Sequence, residues 1–238
     1  PDAKEEVLKD ISFEAKKGDT VAIIGATGCG KSTLINMIPR FYDVTKGEVL
    51  VDGCNVKEYS LKALRKKIGY VSQKAVLFSG TVAENIMYGD SENERPEEAM
   101  LHAAQTAQAK EFLDNMEEGT NSHVAQGGVN FSGGQKQRLS IARAVFRNAE
   151  ILIFDDSFSA LDYKTDSVLR KELKKYTKDA TCMIVAQRIG TIINADKIVV
   201  LDKGECVGIG THKELLKTCE VYREIAYSQL SKEELDNA

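Results

Sequence analysis

The sequence predicts an α/β architecture: a mainly parallel sheet covered by helices, with a helical lobe inserted into it. Short apolar runs alternate with segments of helical period, the pattern of buried strands joined by helices. Between Gly80 and Asn148 the strand signal gives way to helix formers, and from Thr211 onward a Lys- and Glu-rich helical tail closes the chain.

Taken in order, residues 21–25 (VAIIG) read as a buried strand and 31–41 as the helix that follows. Residues 47–53 (GEVLVDG) read as a strand ending in a turn. Three further buried strands are expected at 151–155 (ILIFD), 182–186 (CMIVA) and 197–201 (KIVVL). Inside the lobe, apolar residues recur at helical spacing around 99–113 and 139–146. The implied organisation is an α/β core over 1–79 and 149–210, a helical lobe over 80–148, and a tail over 211–238.

A chain of 238 residues is long enough for one sizeable core, or for a core plus a smaller lobe. A net charge of −4 exerts no general pull on nucleic acid or anionic lipid, so any such contact would have to be local, and nucleic acid is not an expected partner. The basic run 171–178 (KELKKYTK) reads as the solvated face of a helix. No apolar stretch reaches the roughly 18 residues that would span a bilayer, and no signal peptide is recognisable, so a soluble chain is expected. The five cysteines are scattered, odd in number and without CxxC spacing, which argues for reduced thiols in a cytosolic setting.

Gly25-Ala26-Thr27-Gly28-Cys29-Gly30-Lys31-Ser32 fits G-x-x-x-x-G-K-[ST]. On average composition, on the order of one chain in a hundred of this length matches by chance. Placement between a buried strand and a helix removes most of that doubt. Glycines let successive N–H groups converge on phosphate oxygens, and a helix start adds a favourable dipole. Lys31 is then expected to reach the β- and γ-phosphates and the Ser32 hydroxyl to ligate Mg²⁺, with Thr33 next in line. Cys29 lies inside this loop, where alkylation is expected to block nucleotide entry.

The strand 151–155 ends in Asp155 and Asp156. Asp155 stands where a P-loop enzyme holds Mg²⁺, directly or through water. The alternative at this point is that the two carboxylates cap the helix that follows.

Phe131-Ser132-Gly133-Gly134-Gln135 resembles the signature of ABC ATPases, usually LSGGQ. Gln73 in YVSQ resembles the loop joining core and lobe in that family, Ser159-Ala160-Leu161-Asp162 the loop that crosses the dimer interface, and Gln187 in IVAQR takes the place of a switch histidine. The resemblance covers essentially the whole chain. It implies a P-loop NTPase (RecA-like) core with a small antiparallel β part and an inserted helical subdomain, binding ATP and Mg²⁺. Ser32, Gln73 and Asp155 would serve the metal, and Val7 would touch the base or sugar. Two such domains would pair head to tail, so that Phe131 to Gln135, with Asp162, serve the partner's ATP. The stretch from Phe78 to Ile86 (FSGTVAENI) and the run Gly210-Thr211-His212-Lys213-Glu214-Leu215 resemble the exporter branch. There the domain is usually fused behind membrane helices and works at the cytoplasmic face of the membrane. An adenine-stacking aromatic would precede a residue like Pro1.

Three departures from the family pattern surround the chemistry. Asp156 stands where Glu usually polarises the attacking water, Gln187 replaces the histidine, and Ala125-Gln126-Gly127-Gly128 replaces a GERG-like run. Asp withdraws its carboxylate by roughly 1 Å relative to Glu, and misplacement of that size costs about 10²-fold in rate. Gln bonds a phosphate but cannot become a cation. One change alone fits drift or an engineered substitution; two around one γ-phosphate favour the specialised half of an exporter built from two different chains. The expectation is an ATPase motor domain whose own site is slow, with Lys31, Asp156 and Gln187 as catalytic positions and a partner supplying Glu and His. The rivals are a nucleotide-gated regulatory module that never turns over, and a soluble ABC ATPase or importer subunit. His212 reads as a structural cap, His102 and His123 as isolated residues, and Tyr42 and Tyr70 as core or interface packing.

Overall fold

A computed structural model describes residues 6–88, 96–176 and 179–230. Pro1, residues 177–178 of the basic run and residues 231–238 of the tail lie outside them. The chain folds as two compact units: one from the residues up to Ile68 together with those from Thr181 onward, the other from Gly69–Ala180.

The first unit opens with β1 (Thr20–Gly25), α1 (Lys31–Asn36), the short strands β2 (Leu50–Val51) and β3 (Cys54–Asn55), and α2 (Leu61–Lys66). The second holds β4 (Ile68–Val71), β5 (Gly80–Thr81), α3 (Val82–Met87), α4 (Glu97–Thr106) and α5 (Lys110–Leu113). It continues with β6 (His123–Val124), α6 (Gly133–Phe146), β7 (Ile151–Asp155) and α7 (Tyr163–Tyr176). The first unit resumes with β8 (Thr181–Val185), α8 (Ile189–Ile192), β9 (Lys197–Asp202), β10 (Glu205–Gly210), α9 (His212–Thr218) and α10 (Glu220–Gln229).

In the first unit the strand order is β10-β9-β1-β8. β1 is parallel to both neighbours, with Ala22 opposite Ile184 on one side and Ile198 on the other. Val21 to Ile24 and Ile198 to Leu201 are essentially inaccessible, which is why both strands read as unbroken apolar runs. β10 is antiparallel to β9, with an irregularity between Cys206 and Gly208, and alternates exposed with half-buried residues. As an edge strand carrying two glycines it left no apolar run, and the sequence pattern missed it. In the second unit β4 and β7 are neighbours and α3, α4 and α6 pack together. β4 was also missed, because Gly69 breaks its apolar pattern. A Cβ there would sit 2.8 Å from Leu152 and 3.2 Å from the Ala144 carbonyl.

Several elements are shorter than expected. The helix after β1 is regular only to Asn36 and continues as tight turns, Met37 N–H to Leu34 and Ile38 N–H to Ile35, up to Arg40 at φ 54°. Pro39 has no N–H with which to prolong it. The strand expected at 47–53 is only Leu50–Val51; Asp52 and Gly53, both left-handed, turn it back into β3 as a hairpin. The lobe helix expected near 99–113 is broken at left-handed Gln108 into α4 and α5. The lobe also contains a two-residue ladder, Gly80 opposite Val124 and Thr81 opposite His123, too short to leave a period in the sequence.

On α7, Lys171, Lys174 and Lys175 are exposed while Leu173 is buried, so the described part of the basic run is a solvated face. Tyr42 is 51 % exposed, so core packing is wrong for it. Among the described residues no helix is long and apolar enough to cross a membrane.

Candidate functional site

In the first unit, Gly25 ends β1, residues 26–30 form a loop, and Lys31 starts α1. Gly25, Gly28 and Gly30 all have positive φ, at 155°, 82° and 100°. A Cβ on Gly25 would run into the Leu201 carbonyl, and one on Gly30 would lie 2.5 Å from the Leu8 side chain. A Cβ on Gly28 would meet nothing within 4 Å, so glycine there answers to the left-handed backbone and leaves open space over the loop. Ala26, Thr27, Gly28 and Ser32 are exposed, and Thr33 is half-buried.

Lys31 is only 9 % exposed. Its Nζ donates to the Gly25 and Ala26 carbonyls, each at 2.8 Å, and to Cys29 Sγ at 3.8 Å. The ammonium is thus wrapped by its own loop, and phosphate oxygens are stronger acceptors than the carbonyls they would replace. Gly30 is the N-cap of α1 and no side chain caps that end. Open space over Gly28, a captive ammonium and an uncapped helix start together fit a polyphosphate. Cys29 is 5 % exposed and turned toward Lys31, so a reagent reaches it only if the loop opens. Val7 is half-exposed on the segment held by the Lys9 N–H to Gly204 carbonyl bond of 2.8 Å. Gln187 lies on the exposed loop between β8 and α8.

The second unit carries the acids. Asp155 ends β7 and Asp156 follows it, and both are buried, at 6 % and 7 % exposure. Burial without donors would cost a carboxylate dearly, and donors are present. Tyr70 OH donates to Asp155 Oδ2 at 3.2 Å, and Gln73 Nε2 donates to Asp156 Oδ2 at 3.0 Å. Asp156 adopts φ 47°, a left-handed conformation that Asp tolerates better than most residues. Ser157 Oγ donates to the Val71 carbonyl at 3.0 Å, tying the end of β7 to the end of β4. Tyr70 is therefore part of the acidic site and not mere packing. Only the pairing of β4 with β7 reveals this, since 85 residues separate it from Asp155.

The helix-cap alternative for these acids fails. Thr165 N–H and Oγ1 donate to the Asp162 carboxylate at 3.0 and 2.6 Å, so Asp162 caps α7. Those bonds hold the Asp162 carboxyl below the usual carboxylate range. The residue expected at a dimer interface thus also starts a helix.

Ser132 is the N-cap of the 14-residue α6. Its Oγ accepts from Gln135 N–H at 3.3 Å, while Gln135 Oε1 accepts from Ser132 N–H at 2.8 Å. A Cβ on Gly133 would meet nothing within 4 Å; one on Gly134 would lie 3.4 Å from the Ala160 carbonyl. Phe131 is 5 % exposed and packs edge-on against Phe112, so only its backbone faces outward chemistry. Gly127 and Gly128, in the departing run, are both left-handed, and Gly128 sits tightly on Leu77.

His212 corrects another expectation. Thr211, not His212, caps α9, through a capping box with Glu214. His212 is 3 % exposed, its Nδ1 lies 2.7 Å from Tyr222 OH, and burial pushes its pKa down.

Residues 8–159 match the model of a family described as ABC transporter. An uncharacterized ABC transporter ATP-binding protein of Mycobacterium tuberculosis (strain ATCC 25618 / H37Rv) is 50% identical over 96% of this chain and 39% of its own length. A putative multidrug export ATP-binding/permease protein of Staphylococcus aureus (strain NCTC 8325 / PS 47) is 47% identical over 94% of this chain and 38% of its own length. The solved structure of a bacterial Atm1-family ABC exporter with ATP bound superposes with a TM-score of 0.92 at 35% identity, covering 97% of this chain and 40% of that one. The chain thus spans about two fifths of the length of these relatives. By motif, fold and relatives alike, it belongs to the ABC transporter family, as an ATP-binding domain of that ATPase family.

Proposed function

We propose that this domain binds Mg·ATP, pairs head to tail with a second ABC domain, and drives export through a membrane part of a longer protein. The observation that carries the reading is the captive Lys31 ammonium under a glycine loop between β1 and α1. Gly25 to Thr33 would hold the phosphates, and Val7 would touch the base or sugar. Ser32, Gln73 and Asp155 would hold Mg²⁺, which, when bound, neutralises charge on the β- and γ-phosphate oxygens. Ser132 to Gln135, at an N-terminus whose Gly133 leaves open space, would receive the partner's triphosphate.

Asp156 and Gln187 would make the site of this chain slow. Asp156 is the group left to polarise water, and it is both shorter than Glu and engaged by Gln73. Gln187 would contact the γ-phosphate without carrying charge. The faster hydrolysis would occur on a non-identical partner bearing Glu and His. Docking at the cytoplasmic face of the membrane would use an exposed apolar and aromatic surface of the second unit. Val76, Phe78 and Tyr88 are 51 %, 43 % and 58 % exposed, and Arg143 lies over the Phe78 and Tyr88 rings. The name of the Staphylococcus aureus relative, which joins ATP-binding to permease, favours this over a soluble or importer ATPase.

The test begins with Mg²⁺-dependent ATP affinity of the purified protein; its absence would end the proposal. Single-turnover hydrolysis with the partner present then separates motor from regulator. Asp156→Glu with Gln187→His should raise the rate at this site about 100-fold if placement of the carboxylate is the defect. No hydrolysis at this site, even in that double variant, favours the nucleotide-gated regulatory module.

A further inference from the structure

We propose that Gln229, the last residue of α10, is a positioning residue for the loop that carries Gln187. The proposal rests on the reading of Gln187 as the γ-phosphate contact. The Gln229 carboxamide bonds one short stretch of backbone twice. Its Nε2 donates to the Gln187 carbonyl at 2.8 Å, and its Oε1 accepts from Ile189 N–H at 2.8 Å. The two bonds fix which way the amide faces, because only the nitrogen donates and only the oxygen accepts. They bracket Arg188, much as the backbone of a neighbouring strand would.

The local sequence leaves a need for such a clamp. Ile189 is the first residue of α8, a four-residue helix whose N-cap Arg188 makes no side-chain capping bond. First-turn N–H groups need an acceptor from elsewhere, and here it arrives from 40 residues along the chain. On its other side the loop leaves β8 through Ala186, whose N–H donates to the Ile23 carbonyl at 3.1 Å. Gln187 is thus held between a sheet bond and the Gln229 clamp. The clamp is itself firmly mounted: Tyr222 and Ala226 of α10 are fully buried, one turn apart on one face.

A glutamine side chain has three flexible torsions, so its reach to a phosphate depends on where its backbone is pinned. Releasing Gln229 leaves Gln187 chemically intact but adds an ordering cost to every γ-phosphate contact. ADP, lacking that phosphate, pays none of it.

The experiment compares ATP and ADP affinities of the intact protein, by calorimetry with Mg²⁺, in Gln187→Ala, Gln229→Ala, Gln229→Glu and the Gln187→Ala/Gln229→Ala double variant. Amide exchange at Ile189 is followed in parallel. Gln229→Ala should weaken ATP about 3- to 10-fold while leaving ADP within about twofold, the size expected from losing neutral hydrogen bonds. The double variant should be no worse than Gln187→Ala alone, and exchange at Ile189 should speed up. Gln229→Glu keeps the volume but sets an oxygen against the Gln187 carbonyl, so it should shift ATP affinity the same way. If Gln187→Ala discriminates ATP from ADP and neither Gln229 variant does, the positioning role is overturned. Unchanged exchange at Ile189 in Gln229→Ala overturns it as well. If Gln187→Ala itself fails to discriminate, the γ-phosphate reading is wrong and this proposal falls with it.

Discussion

Gln73 Nε2 donates to Asp156 Oδ2 at 3.0 Å, across 83 residues of sequence. The family resemblance gives these two side chains separate duties, one at the metal and one at the attacking water. In this fold they are partners, and the buried Asp156 carboxylate depends in part on the Gln73 amide.

Removing that donor should therefore destabilise the second unit. Gln73→Ala is expected to cost about 2 kcal/mol, the scale of one hydrogen bond to a charged group. Gln73→Glu should cost more, since it sets a second carboxylate against the first. Urea unfolding of both variants measures the difference, and equal midpoints for wild type and Gln73→Glu would contradict the pairing.

Tyr70→Phe removes the hydroxyl from Asp155 while keeping the ring. Stability should fall by about 1 kcal/mol. If Asp155 serves the metal, the Mg²⁺ concentration needed for half-maximal ATP binding should rise several-fold, with Mg²⁺-free binding unchanged. A magnesium titration monitored by a fluorescent nucleotide reads this directly.

The two signature glycines should separate folding from pairing. A Cβ on Gly133 points into open space, so Gly133→Ala should stay within about 0.5 kcal/mol of wild type. A Cβ on Gly134 would reach the Ala160 carbonyl only at ordinary contact distance, 3.4 Å, so Gly134→Ala should likewise stay within about 0.5 kcal/mol of wild type. ATP-dependent association with the partner domain, measured by sedimentation, should weaken in both. A Gly133→Ala protein that pairs normally would remove this glycine from the proposed partner site.

His212 gives a pH dependence with a definite sign. Burial lowers its pKa from the usual 6.5, so the unfolded chain takes up a proton at a higher pH than the folded one. Its contribution to stability is complete above about 6.5 and is lost as pH falls from there toward the lowered folded value. Unfolding free energies should decline with acid over that window. His212→Gln, which can still meet Tyr222 OH but does not titrate, should flatten the decline.

Linear patterns went a long way with this protein. The run 21–25, the glycine loop and Lys31 mark the strand, turn and helix start of a P-loop unaided, because the three are contiguous and each obeys local chemistry. The helical spacing at 139–146 likewise marks a lobe helix, and the apolar runs at 151–155, 182–186 and 197–201 mark strands buried on both faces. What contiguous residues could not reveal is anything made by residues far apart. The Tyr70 bond to Asp155, the Gln73 bond to Asp156 and the Gln229 clamp on the Gln187 loop join positions 85, 83 and about 40 residues apart, and each exists only once strands and helices have been brought side by side. Edge strand β10 and glycine-broken β4 escaped for a related reason: a strand's partners, not its own alternation, make it a strand. Local propensity and motif spacing thus determined the glycine loop and the layout of the chain, while tertiary packing decided which side chains hold the carboxylates and the Gln187 loop in place, because those hydrogen bonds depend on distance in space and not along the chain.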